Sequence, residues 1–192
     1  MIRLLGTVLL AAALAACGQQ APASAPPPAH TGHHAVSATA TTAAADGSFD
    51  ATARAFVELV IATDDQAVKL MDLGARATSP ALRQLAGDLG ARRRGELATL
   101  RGILDTAGVS YVDNHAGHDM PGMPTEAELA ALAAAGAGFD AEFVRLVRAH
   151  LTESATVAQS GTTSVGHEET RTAAESMARE RAAALQALDG LG

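Results

Sequence analysis

The sequence predicts an all-α protein, a four-helix bundle assembled from two duplicated α-hairpins, and three observations carry that reading. Apolar residues recur at three-and-four spacing, the stripe of an amphipathic helix, in four separate stretches. Those stretches form two matching pairs. Phe56-Val57-Glu58-Leu59-Val60 returns 87 residues later as Phe143-Val144-Arg145-Leu146-Val147, while Arg83, Leu97 and Leu100 return 88 residues later as Arg171, Leu185 and Leu188. Composition agrees, since 46 of the 192 residues are alanine and only 3% are aromatic, a balance that suits close-packed helices better than a β-sandwich. Two hairpins that each present an apolar face bury it by packing on one another.

The elements follow in order. Residues 1–16 read as an export signal: Arg3 as the basic start, an apolar run from Leu4 to Leu14, and the small residues Ala15 and Ala16. The run is too short to span a membrane. Residues 17–48 read as a disordered tether of Ala, Pro, Ser, Thr and Gly without aliphatic periodicity, extended at Pro26-Pro27-Pro28. The folded domain is expected over residues 49–192. Its first helix carries Phe56, Leu59, Val60, Thr63, Ala67, Leu70 and Gly74 on one stripe. Ser79-Pro80, a cap followed by proline at the first helical position, opens the second, which runs through Leu82, Leu85, Leu89, Leu97, Leu100 and Leu104 to Gly108. The third is expected from about Phe139 to Gln159 and the fourth from about Glu168 to Leu188, giving repeats of about 52–106 and 139–190 joined by a connector, 107–138. Within the connector, Thr125-Glu126-Ala127-Glu128 has the form of a capping box and predicts a short helix to Ala135, ended by Gly136 and Gly138.

Several function classes fall on composition and motif. One cysteine cannot form an internal disulfide or a Cys-based zinc site. With 14 basic residues against 21 acidic ones, the chain lacks the footprint of a nucleic-acid binder. No Glu-x-x-His occurs, so a ferritin-type di-iron centre lacks its usual ligands, and His-Glu-x-x-His, phosphate-loop and Gly-x-Gly-x-x-Gly motifs are absent as well. The expectation is a protein that is not an enzyme.

Leu14-Ala15-Ala16-Cys17, directly behind the apolar run, resembles the bacterial lipobox. That resemblance implies cleavage before Cys17, lipidation of its thiol, and a chain held by lipid on the outer face of a bacterial membrane. The stretch His118-Asp119-Met120-Pro121-Gly122-Met123-Pro124-Thr125-Glu126-Ala127-Glu128-Leu129-Ala130-Ala131-Leu132, followed by Gly138-Phe139-Asp140 and the Phe143 helix, resembles the domain-of-unknown-function family 305. The likeness extends over residues 52–190 and implies a ferritin-like bundle in an exported bacterial protein, with a role in copper handling at the cell envelope. It also implies a Met-Ile-x-His-His-x-x-Ala-x-x-Met signature on the first and third helices, where thioethers suit Cu(I) and imidazoles suit either copper state.

The chain departs from that signature. Thr63 and Asp64 stand at the paired-histidine positions of the first helix and Leu70 at its methionine; the third helix keeps His150 but has Leu151 and Val157. Leu100 and Leu188 occupy later methionine positions, and Met71 and Met177 read as core filler. His150 lies on the stripe of Phe143, Val147 and Ser154 and is expected to face the interior, either as a ligand working with Asp64 or as a buried histidine hydrogen-bonded to a threonine or carboxylate. In the connector, His115, His118, Met120 and Met123 place two imidazoles and two thioethers within nine residues. They form either a flexible site for Cu(I) or Ag(I) or an incidental set in a loop. His30, His33 and His34 in the tether are a weaker candidate for Cu(II), Ni(II) or Zn(II), against a plain polar spacer. Arg92-Arg93-Arg94 reads as a solvated face, or as a patch for an acidic partner or phospholipid headgroups. Together these imply an extracytoplasmic lipoprotein that binds or buffers copper or a similar soft metal with reduced capacity; the alternative is a metal-free structural or interaction lipoprotein of the same fold.

Overall fold

A computed structural model describes residues 47–191. The export signal, Cys17 and the tether up to residue 46, with His30, His33 and His34, lie outside the described residues. Among those described there are five α-helices and no strand: α1 (Ala51–Leu73), α2 (Pro80–Thr106), α3 (Glu126–Ala134), α4 (Phe139–Ser164) and α5 (Glu168–Asp189). The two hairpins α1–α2 and α4–α5 are the expected repeats. α4 continues five residues beyond the expected end, because Gln159, Thr162, Thr163 and Ser164 satisfy one another and the last-turn carbonyls with their own side chains.

The helix starts follow the capping chemistry of the chain. Asp50 accepts from the Ala53 amide at 2.8 Å, and Ser79 accepts from the Leu82 amide ahead of Pro80. Thr125 and Glu128 close the predicted capping box from both sides. His167 caps α5 through Nδ1, which accepts from the Thr170 amide. Asp140, in the first turn of α4, accepts from the amides of Thr78 and Ser79 at 2.8 and 3.0 Å and so ties the start of the second repeat to the bend of the first.

The duplication is also visible in packing. Gly74 ends α1, and a Cβ there would meet Phe143 Cζ at 2.7 Å; Gly161, 87 residues on, would press a Cβ to 2.9 Å from Phe56 Cζ. Each repeat therefore lends a glycine as the seat for the other repeat's phenylalanine. These seats sit in two separate apolar clusters. One gathers Leu70, Leu89, Leu132, Phe143, Leu151 and Leu188; the other gathers Phe56, Ile61, Leu97, Leu100, Ile103 and Met177. Met71 and Met177 are 2% exposed and belong to these clusters, as core filler should.

Gly74→Ala and Gly161→Ala are each expected to lower stability by about 1–3 kcal/mol through overpacking. Thermal or urea unfolding of the two variants, which should respond alike, checks this.

Candidate functional site

Between the two apolar clusters lies a layer of charge to which every long helix contributes. Asp64 comes from α1, Arg93 and Glu96 from α2, His150 from α4 and Arg181 from α5. Arg93, Arg181, Asp64 and His150 are at most 1% exposed. Arg181 donates to Glu96 Oε1 at 2.6 Å and to the two Asp64 oxygens at 3.2 and 3.4 Å, and Arg93 donates to Glu96 Oε2 at 2.7 Å. Arg93 Nε stands 3.7 Å from Asp64. Glu96 thus bridges both guanidiniums, and Asp64 lies against Arg181 and next to the Glu96 carboxylate.

Burial and pairing move these groups in different directions. Burial raises the Asp64 carboxyl to about 7 despite the pull of Arg181 and Arg93. Burial also works against ionised Glu96, but its two arginines overcome it and hold the group at about 2. His150 is pushed down to about 3, first by burial and then by the positive charge of Arg93 and Arg181, so its imidazole is neutral at physiological pH. Its Nδ1 lies 3.2 Å from the carbonyl oxygen of Gly122, which can only accept, so the proton resides on Nδ1. Nε2 then carries the lone pair, 3.9 Å from Asp64 and without a hydrogen-bond partner among the described residues.

His150 thereby meets the expectation that it faces inward near Asp64, although its hydrogen bond runs to the connector backbone rather than to a threonine or carboxylate. A small cavity of about 30 Å³ adjoins it, lined among others by Thr63, Gly122, Met177 and Arg181. That is room for solvent and too little for an organic ligand. The interior does not fit a metal cation: the one free imidazole nitrogen shares its surroundings with two guanidiniums, and the adjacent carboxylate is engaged by them.

Arg93 corrects the expected solvated Arg92-Arg93-Arg94 face. Successive helical residues point about 100° apart, so three in a row span more than half the circumference and one had to turn inward. Arg92 and Arg94 remain outside, paired with Glu180 at 3.3 Å and Asp72 at 2.5 Å. A signal for the buried arginines was present in the chain: Arg93 and Arg181 stand 88 residues apart, the offset that relates Arg83 to Arg171. Glu96 carries no such mark, since its counterpart is Ala184.

The connector folds into two turns over the candidate ligands. The His118 amide donates to the His115 carbonyl at 3.0 Å, and the Met123 amide to that of Met120 at 3.0 Å. Gly117 and Gly122 take φ of 75° and 72°, and Met120-Pro121-Gly122-Met123 has the proline and glycine placement of a type II turn. Gly122 also approaches α4 so closely that a Cβ would strike Ala149 and Glu153. His118 is exposed, His115 and Met120 are half-buried, and Met123 is 8% exposed, its thioether turned into the protein. Among the described residues no three His, Cys, Asp or Glu side chains are grouped so as to hold a metal ion. No described helix is long and apolar enough to cross a membrane.

Two pseudo-equivalent antiparallel hairpins, joined by a long crossover that returns the chain along one seam so that α2 and α4 run in the same direction, and centred on a charged layer, define an all-α protein of ferritin-like type. The sequence profile of the domain of unknown function DUF305 matches residues 53–191, and the chain belongs to that family. Its fold is similar to that of a DUF305 fragment from Deinococcus radiodurans, with 18% identity, a TM-score of 0.65 and coverage of 74% of this chain and 95% of that one. It is likewise similar to a DUF305 protein from Streptomyces coelicolor, provisionally described as secreted, with 20% identity, a TM-score of 0.64 and coverage of 73% and 91%. No curated protein matches the chain.

Removing one member of the layer strands the others. Glu96→Gln is expected to destabilise the fold by about 3–5 kcal/mol, because both guanidiniums lose their shared carboxylate; chemical denaturation checks this. The pH dependence has two limbs. Folding lowers His150 from 6.5 to about 3, so its contribution is complete above pH 6.5 and lost as pH falls toward 3. Folding raises Asp64 from 3.8 to about 7, so its contribution is complete below pH 3.8 and lost as pH rises through 7. Unfolding curves from pH 3 to 8 should show a shallower acid limb for His150→Gln and a shallower decline toward pH 8 for Asp64→Asn.

Proposed function

We propose that this chain is a non-catalytic interaction protein of the bacterial cell envelope, whose bundle interior is a structural ion-pair layer rather than a metal centre. One observation supports the reading above others: Asp64, at a position where the family resemblance implies a ligand histidine, is engaged by Arg181 and stands beside Arg93. Two fixed positive charges already occupy the place of a cation. Lipid attachment through Cys17 would hold the domain at the outer face of the membrane, with residues 18–48 as its tether.

A second reading rests on the connector. The turn closed between His115 and His118 sets one half-buried and one exposed imidazole just ahead of Met120, a set suited to weak binding of Cu(I) or Cu(II). Such a site would buffer copper with reduced capacity, since Met123 is drawn inward.

Titration with Cu(I) against a competing chelator separates the two. The ion-pair reading expects the chain to bind no more tightly than a variant with His115, His118, Met120 and Met123 changed to alanine, and expects His150→Ala to change nothing. Affinity lost in the connector variant establishes the second reading; affinity lost with His150→Ala overturns the first. Anchoring is checked by fractionation: the chain should sediment with membranes and Cys17→Ala should leave them.

A further inference from the structure

The two seams of the bundle are treated differently. The connector and α3 lie over the side where α1 meets α4, with Gly122 held by His150. On the opposite side, α2 and α5 run antiparallel along an open groove, and nothing among the described residues crosses it. Spaces of about 520 and 400 Å³ adjoin along this seam and share Arg92 and Glu180. The groove extends from Thr99 to Ala81 on α2, about 27 Å at 1.5 Å per residue. That is the length of a helix rather than of a small molecule.

Its walls carry a pattern of charge the monomer leaves unused. Asp88 on α2 and Arg179 on α5 are exposed, line the same space, and form no ion pair with any described residue. Arg92 and Glu180, by contrast, pair across the seam. The floor between the unpaired charges is apolar and low, built from Leu85, Leu89 and small alanine side chains. Gly95 also lines the groove, exposed in the middle of α2, where a Cβ would meet nothing within 4 Å. Glycine there weakens the helix with no return inside the monomer.

We propose that the α2–α5 groove is a docking surface for a second copy of this chain. A two-fold axis along the groove lays α2 of one copy antiparallel over α5 of the other, setting Asp88 of each near Arg179 of its mate and closing small residues against small residues. The contact is isologous, so it ends at the dimer. This goes beyond the proposed function by naming a partner, and it does not depend on whether metal binds.

The test is sedimentation equilibrium on the full chain carrying Cys17→Ala, so that no acyl group drives association. The expected result is a concentration-dependent species of twice the 19.4 kDa chain mass. Asp88→Arg and Arg179→Asp should each weaken association by about tenfold or more, and the double exchange Asp88→Arg with Arg179→Asp should restore it. Circular dichroism reports whether each variant keeps its helices; Gly95→Leu, which needs no charge change, should also weaken the dimer. A chain that stays monomeric to about 1 mM overturns the proposal, as does a dimer indifferent to the single exchanges. Either result leaves the copper titration unaffected, so the two readings fail separately.

Discussion

Two arginines buried at the centre of a helical bundle constrain everything around them. A guanidinium out of water cannot shed its proton, so each must find carboxylate partners or the fold fails. Glu96 satisfies both, and Asp64 accepts from Arg181 beside it. This splits the hydrophobic core into two clusters and fixes the register of three helices against one another, because Asp64, Glu96 and Arg181 meet only at one alignment of α1, α2 and α5. Ion pairs of this kind add little net stability compared with apolar packing, yet they penalise misalignment heavily.

Gene duplication accounts for the layer's symmetry and for where the symmetry stops. Arg93 and Arg181 are equivalent positions, as are Gly74 and Gly161 with their reciprocal phenylalanines. At the carboxylates and the imidazole the halves diverge: Thr63 answers His150, Leu151 answers Asp64 and Ala184 answers Glu96. One repeat supplies the acids and the other the neutral base. Acids and imidazole are therefore distributed asymmetrically inside a symmetric frame, and His150 is turned to hold the connector through Gly122.

That latch gives the connector its shape. Pro121 and Gly122 make the turn, His150 accepts its place beneath it, and Met123 is drawn inside while His118 stays in water. Of four residues that looked alike as soft-metal ligands along the chain, burial separates one from the rest. The uncovered seam on the far side follows from the same arrangement, since a single connector can roof only one of two equivalent seams.

The sequence by itself determined the helices, the Ser79 and Thr125 caps, the duplication and the family-like connector, because spacing, capping residues and repeats are local or periodic properties written along the chain. His150 was legible as inward-facing for the same reason, from its place on the apolar stripe. Arg93 carried a mark in the chain, its 88-residue offset from Arg181, but tertiary structure alone decided that Glu96 bridges the two buried arginines and that Asp64 stands against them. Those outcomes depend on the rotation of each helix about its axis and on which residues meet across the bundle, and neither is set until all four helices pack. A charged residue reads as solvated until something opposite it pays the cost of its burial.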